Sequence, residues 1–317
     1  MNINQGLRAV IGAALCASTL FISGNAAAEL IVGLTNQNAL ISFDSATPGT
    51  VSVPVSITGL LAGDVILGID RRPSFGPNNG VIYGFGLTTS TGVGRLYRID
   101  ASTGVATPAS SLAADPADTI APFPFATVSG SSFGVDFNPT VDRLRVTSNT
   151  GQNLRINVDT GLVQLDVPLA YQSGDPNFGD APVDVAVAYS NNFAGATTTV
   201  LRGVDIGQSP DALVIHVNPN GGLLQTSLSL PFDSTELIGY DISGLTGTPY
   251  FSSAPGQTVP SQLWASGPGG VTLVGPIGGG IPLRDIAAPV GARVPEPGTL
   301  ALFGIAAALF AITRRRR

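Results

Sequence analysis

Four aspartates, Asp70, Asp136, Asp241 and Asp285, stand at matching points of a sequence in which charge is sparse. Two carboxyls converging on one pocket could serve as acid and as base or nucleophile in glycoside hydrolysis. Recurrence at equivalent points argues instead for a structural task, capping a turn or bonding the next repeat. The single histidine, His216, sits in LVIHVN on a face shared with Val214 and Asn218, and is expected to be a strand-surface residue. One histidine without a nucleophile elbow builds neither a His-based metal site nor a hydrolase triad, so no catalytic residue is assigned. The loop GDPNFGDAPVD offers Asp175, Asn177, Asp180 and Asp184 as oxygen ligands, and calcium is the ion such a set would suit, although EF-hand spacing is missing. No other cofactor is expected.

The elements that must position these residues are short and repeated. Residues 133–166 read FGVDFNPTVDRLRVTSNTGQNLRINVDTGLVQLD. Alternating apolar and polar runs, separated by NP, NTG and DTG, predict four antiparallel strands joined by tight turns. The pattern recurs. GID at 68–70 matches GVD at 134–136, and LYRIDASTG at 96–104 matches LRINVDTG at 154–161 with one residue of slack. Further units start at Val183, with VDVAVAY, and at Glu236, with ELIGYDISG. A Pro-rich insertion containing DPADTIAPFPF separates two units. Repeats of four short strands predict an all-β, five-bladed β-propeller-like domain over residues 29–290. A β-sandwich is the other architecture that such strands could build. The last unit begins as PLRDIAAPV at 282–290 with no strands after it. Its missing partners are the runs at 30–34, 39–43 and 51–57, so the ring should close by joining N- and C-terminal strands in one sheet.

Composition agrees. All 15 basic residues are arginine, and only Glu29, Glu236 and Glu296 among the 21 acids are glutamate. Such a chain lacks the usual residues of helix surfaces. Setting aside Arg8, Arg314 to Arg317 and Glu296 leaves 10 arginines against 20 acids, a charge near −10. No basic stripe remains for phosphates, which argues against nucleic acid as a partner.

The two ends carry addresses. Residues 1–28 have the layout of a signal peptide: Arg8, an apolar run from Ala9 to Ile22, and the small-residue site Ala26-Ala27-Ala28. The only cysteine, Cys16, lies within it, so the exported body carries no thiol. Residues 291–317 contain Pro295-Glu296-Pro297, an uncharged apolar run at 298–312, and Arg314, Arg315, Arg316 and Arg317. As a helix, that run would rise about 22 Å against a hydrocarbon core of about 30 Å, a marginal transmembrane anchor. The arginines should stay cytoplasmic, leaving the body outside the inner membrane.

This order of motif, apolar spacer and arginine cluster resembles the PEP-CTERM sorting tail of Gram-negative bacteria. The resemblance implies an exosortase-type membrane peptidase as partner, transient anchoring in the inner membrane, cleavage near the motif, and transfer to the cell surface or an exopolysaccharide matrix. The phrase GVDFNPTVDRLRVTSNTGQNLRINVDTG resembles a secreted family known as domain of unknown function 4394, for which the resemblance supplies no catalytic residues. Two functions follow as expectations. One is a non-enzymatic binding or structural protein whose propeller presents loops to a polysaccharide or another surface protein. The other is a secreted, glycosidase-like hydrolase of matrix polysaccharide.

Overall fold

The computed structural model describes residues 28–291, so the signal peptide, the sorting motif and the membrane segment expected at the ends lie outside the described residues. Within that span the chain forms five sheets around one axis, each built on four antiparallel strands. β1 (Leu30–Thr35), β2 (Ala39–Asp44) and β3 (Val55–Ser56) begin blade 1. Blade 2 is β4 (Asp64–Arg71), β5 (Ile82–Thr88), β6 (Val93–Ile99) and β7 (Ala106–Ser111). Blade 3 is β9 (Phe133–Asn138), β10 (Arg143–Ser148), β11 (Asn153–Ile156) and β12 (Leu162–Leu165). Blade 4 is β14 (Asp184–Tyr189), β15 (Leu201–Asp205), β16 (Ala212–Asn218) and β17 (Leu223–Ser229). Blade 5 is β18 (Ile238–Ile242), β19 (Pro249–Ser253), β20 (Gln262–Gly267) and β21 (Gly270–Pro276). Finally β22 (Leu283–Ala287) pairs antiparallel with β1, Val32 opposite Ala287 and Gly33 opposite Ile286. The ring therefore closes as the incomplete last repeat requires, with blade 1 assembled from strands of both ends of the described span.

Three departures from the sequence reading have local causes. The expected strand at 51–57 shrinks to a bridge at Val51 and the two residues of β3, because Pro54 has no N–H to donate to a ladder. The Pro-rich insertion is not wholly irregular. It contributes β8 (Ala113–Ala114), which runs parallel to β12 as a fifth strand of blade 3, and β13 (Ala170–Tyr171) does the same beside β17. The repeat also aligns without slack. Asp100 and Asn157 occupy the same turn position, each accepting at its carbonyl from the N–H of a glycine four residues on, Gly104 at 2.8 Å and Gly161 at 2.7 Å. Gly161 has φ of 75°, a left-handed conformation that a side chain would resist.

Packing between blades is mostly apolar. Ile66, Ile69, Ile82 and Ile99 of blade 2 meet Val32, Leu34 and Leu40 of blade 1. The other face of blade 2 places Tyr83 and Phe85 edge-on against Phe137 and Phe133 of blade 3. Blades 4 and 5 meet through Val185, Val204, Leu213, Ile238 and Tyr240, with Tyr240 stacked on Phe251 at 4.4 Å. The seam between blades 3 and 4 differs. Blade 3 presents Arg145 there, and blade 4 presents Tyr189 and a buried His216–Asp184 pair. Among the described residues no helix is long and apolar enough to cross a membrane.

Candidate functional site

The inner strands β4, β9, β14, β18 and β22 line the axis, and the Gly-x-Asp phrase on three of them has two jobs. The glycine permits close approach. A Cβ on Gly134 would lie 2.9 Å from the Val187 nitrogen and 3.0 Å from that of Ala186, and one on Gly239 would lie 2.5 Å from the Ile286 nitrogen. The aspartate then bonds the neighbouring blade. Asp70 accepts from the Phe137 N–H at 2.7 Å, Asp136 from Tyr189 at 3.1 Å, Asp241 from Ala288 at 2.5 Å and Asp285 from Ile69 at 2.9 Å. Asp70, Asp241 and Asp285 also accept with their second oxygen from the N–H of the next residue along the chain. Four of the five blade junctions are clasped in this way. At the fifth, blade 4 carries Ala188 in VAVAY, and the step to blade 5 rests on apolar packing.

All four aspartates are buried. Oxygens of Asp70, Asp136 and Asp241 lie within 4.8 Å of one another. Burial pushes the Asp70 carboxyl up to about 8, opposed by its two backbone hydrogen bonds. Burial also raises Asp136 well above the usual range, with repulsion from Asp70 and Asp241 adding to it. Asp241 and Asp285 are raised chiefly by burial as well. Such a ring cannot be fully ionised without compensation, which a shared proton or an axial cation would supply. Asp70, Asp136 and Asp241 are the residues whose oxygens could converge on such a cation.

The loop suggested for calcium is arranged otherwise. Asp175 accepts from the Asn177 N–H with one oxygen and from the Thr226 N–H with the other, at 2.9 and 2.6 Å. The Asn177 amide donates to Thr226 Oγ1, Asp180 is exposed, and Asp184 is buried against His216. The carboxylates of Asp175, Asp180 and Asp184 therefore do not converge, because the loop spends its first aspartate on fastening itself to β17. His216 is likewise not a strand-surface residue. It is 3 % exposed, with Nε2 2.8 Å from Asp184 Oδ2. Asp184 is the polar side chain that the buried imidazole faces at this distance. Burial raises the Asp184 carboxyl, and His216 works against that rise. What the isolated alternation in LVIHVN could not show is that the neighbouring blade covers this face.

Two clefts open at the carboxyl ends of the inner strands. One, of about 480 Å³, lies at the seam of blades 3 and 4 and includes Asn138, Tyr189, Thr199, Asn218 and Asn220. Its wall is braced by buried Arg145, which donates to Asn153 at 2.7 Å, Asp166 at 2.6 Å and Asn220 at 2.8 Å. Arg72 plays the same part between blades 2 and 3, donating to Asp142 and to Asp159. These two arginines went unremarked in the sequence; the signal was an arginine inside an apolar strand, in RLRVTS and in GIDRR. The other cleft, of about 720 Å³, lies on blade 2 where it faces blade 1 and includes Arg71, Asn78, Arg98, Asp100 and Thr107.

Solved structures similar in fold include one titled as a nidogen/laminin complex (11% identity, 84% of this chain and 99% of that one, TM-score 0.43). Another is a putative 6-phosphogluconolactonase from Bacteroides uniformis (14%, 79% and 82%, TM-score 0.37). Likenesses this distant bear on neither activity nor ligand. No curated protein matches the sequence. Residues 293–317 match the PEP-CTERM protein-sorting motif, which marks the protein as exported and sorted by an exosortase to the surface or beyond. Residues 39–287 match the family model for a domain of unknown function, DUF4394, and with most of its length covered the chain belongs to that family.

Proposed function

We propose that the protein is a non-enzymatic binding propeller of the cell surface or exopolysaccharide matrix of a Gram-negative bacterium. The reading is supported above all by where its carboxylates are. The repeated aspartates that sequence offers for glycoside chemistry are buried and bonded to the backbone of adjacent blades. The cleft between blades 3 and 4 instead presents guanidinium, amide and hydroxyl groups, and the cleft on blade 2 presents such groups with a single carboxylate, Asp100. Such groups bind sugars and fix their orientation, whereas hydrolysis needs two carboxyls flanking the scissile bond. On this reading the tail at 298–317 holds the protein briefly in the inner membrane before cleavage near Pro295-Glu296-Pro297.

The test combines binding and turnover. The purified secreted body is incubated with a panel of bacterial and plant polysaccharides, and both retention on the polymer and release of reducing ends are measured. Binding without release is expected. Release of reducing ends would establish the hydrolase instead, and failure to retain any polymer would overturn the binding role.

A further inference from the structure

We infer that the end of the propeller from which the sorting tail leaves is a membrane-contacting face, with Phe75 and Leu245 entering the lipid headgroup layer while the tail is anchored. The inference rests on the anchoring proposed above for residues 298–317. Four loops surround the point where the body ends: 73–80, 190–200, 243–248 and 288–291, which continue from the C-terminal ends of β4, β14, β18 and β22. They are knit together. The Gly291 N–H donates to the Asn192 carbonyl at 2.8 Å, and the Gly244 N–H donates to the Pro289 carbonyl, also at 2.8 Å. Phe193 bridges to Gly291. A Cβ on Gly195 would lie 2.7 Å from the Phe75 ring, and one on Gly80 would lie 3.3 Å from Val290. On this surface Phe75 is 68 % exposed and Leu245 59 %, large apolar side chains that the rest of the described chain leaves uncovered.

Charge marks the same face. None of the four loops contains an acidic or a basic residue. Glu29, beside them, is 2 % exposed and accepts from the Ser243 hydroxyl at 2.8 Å. Asp142 and Asp159, farther out, are paired with Arg72. By contrast, the connections 112–132, 167–183 and 230–237, which return the chain to the starts of β9, β14 and β18, carry Asp115, Asp118, Asp175, Asp180, Asp233 and Glu236 and no arginine. Anionic lipids repel such acids within a Debye length, about 8 Å at physiological salt, so a negatively charged body approaches a bilayer best by an uncharged face. Apolar side chains on that face can then settle at the boundary of headgroups and acyl chains. The tail sets the reach. Gly298, where the apolar run begins, is seven residues beyond Gly291, an extended span of at most about 25 Å. A domain of this length is about 45 Å across. The tether therefore holds the exit face near the bilayer and is too short to let the opposite end turn toward it.

Site-directed labelling tests the orientation. The mature chain, residues 29–317, has no cysteine, so one introduced cysteine reports one position. Thr246→Cys, in the exit-face loop between β18 and β19, and Thr258→Cys, in the loop between β19 and β20 at the other end of blade 5, are both exposed positions and are each labelled with a fluorophore. The full mature chain is reconstituted into phosphatidylethanolamine–phosphatidylglycerol vesicles. Flotation measures anchoring, and lipids carrying a shallow doxyl quencher measure contact. The label at position 246 should lose most of its fluorescence and the label at 258 should keep it. Phe75→Ser with Leu245→Ser should restore much of the fluorescence at 246, and because both side chains are exposed the double variant keeps the native melting temperature. A chain that floats with the vesicles while the two labels respond alike would overturn the membrane face and leave the anchoring standing, as would quenching at 246 that ignores the double substitution. Failure to float would remove the anchoring reading and the inference with it. Shielding of position 246 that arises only in native membranes containing the peptidase would also overturn lipid contact, and would assign the face to that protein.

Discussion

Stability should fall as pH rises from 5 to 8, contrary to the usual behaviour of carboxylates paired with cations. Asp70 has an ordinary value of 3.8 and is pushed up to about 8 in the fold, and Asp136, Asp241 and Asp285 are raised with it. Between these limits the native ring keeps a proton that the unfolded chain has released. For a carboxyl raised in this way the stability contribution is complete below 3.8 and is lost as pH climbs through about 8. One retained proton gives a slope of about 1.4 kcal/mol per pH unit. Over pH 5 to 7.5 that amounts to about 3 kcal/mol, a large share of a typical domain stability of roughly 5–15 kcal/mol. Carboxyls lowered in the fold, Asp64, Asp159 and Asp175, act in the opposite sense but at pH values below the ordinary 3.8, outside this window. Urea unfolding of the metal-free body at half-unit pH steps measures the slope directly. Asp70→Asn with Asp241→Asn should flatten it, because fewer like charges then share the axis. A stability that is constant or rising from pH 5 to 8 in the unsubstituted protein would refute the argument, as would an unchanged slope in the double variant.

Three further outcomes follow from the packing. Gly134→Ala drives a methyl into the backbone nitrogens of Ala186 and Val187, and should cost about 1–3 kcal/mol by overpacking, read as a lower urea midpoint. His216→Ala leaves Asp184 buried without its partner, so the melting temperature should drop by an amount worth about 3 kcal/mol while polysaccharide binding by the folded protein persists. Ending the chain at Gly280 removes β22, which strips blade 1 of its inner strand and leaves Asp241 and Ile69 without their partners; loss of the whole folding transition is expected, and a body that merely frays, as seen by hydrogen exchange, would contradict ring closure.

The sequence by itself determined the repeat, the count of blades and the manner of closure. These are written in local chemistry: period-two alternation for strands, Asp or Asn followed four residues on by a left-handed glycine for turns, and a last unit whose missing strands stand at the other end of the chain. It also exposed the role of Asp70, Asp136, Asp241 and Asp285, since a residue repeated at one point of four of the five units answers to a contact repeated between units. The tertiary structure alone decided burial and partnership across blades. His216 reads as exposed when only its own strand is considered, because alternation reports two faces and not whether a neighbouring blade covers one of them. The loop at 174–184 offered four oxygen ligands, but their directions depend on β17, where Thr226 takes up Asp175. Arg71 and Arg72 are adjacent and chemically identical, yet one is locked between two aspartates of blade 3 and the other lines an open cleft. That difference is set by the side of the strand each residue faces, and by which blade the closed ring brings against it.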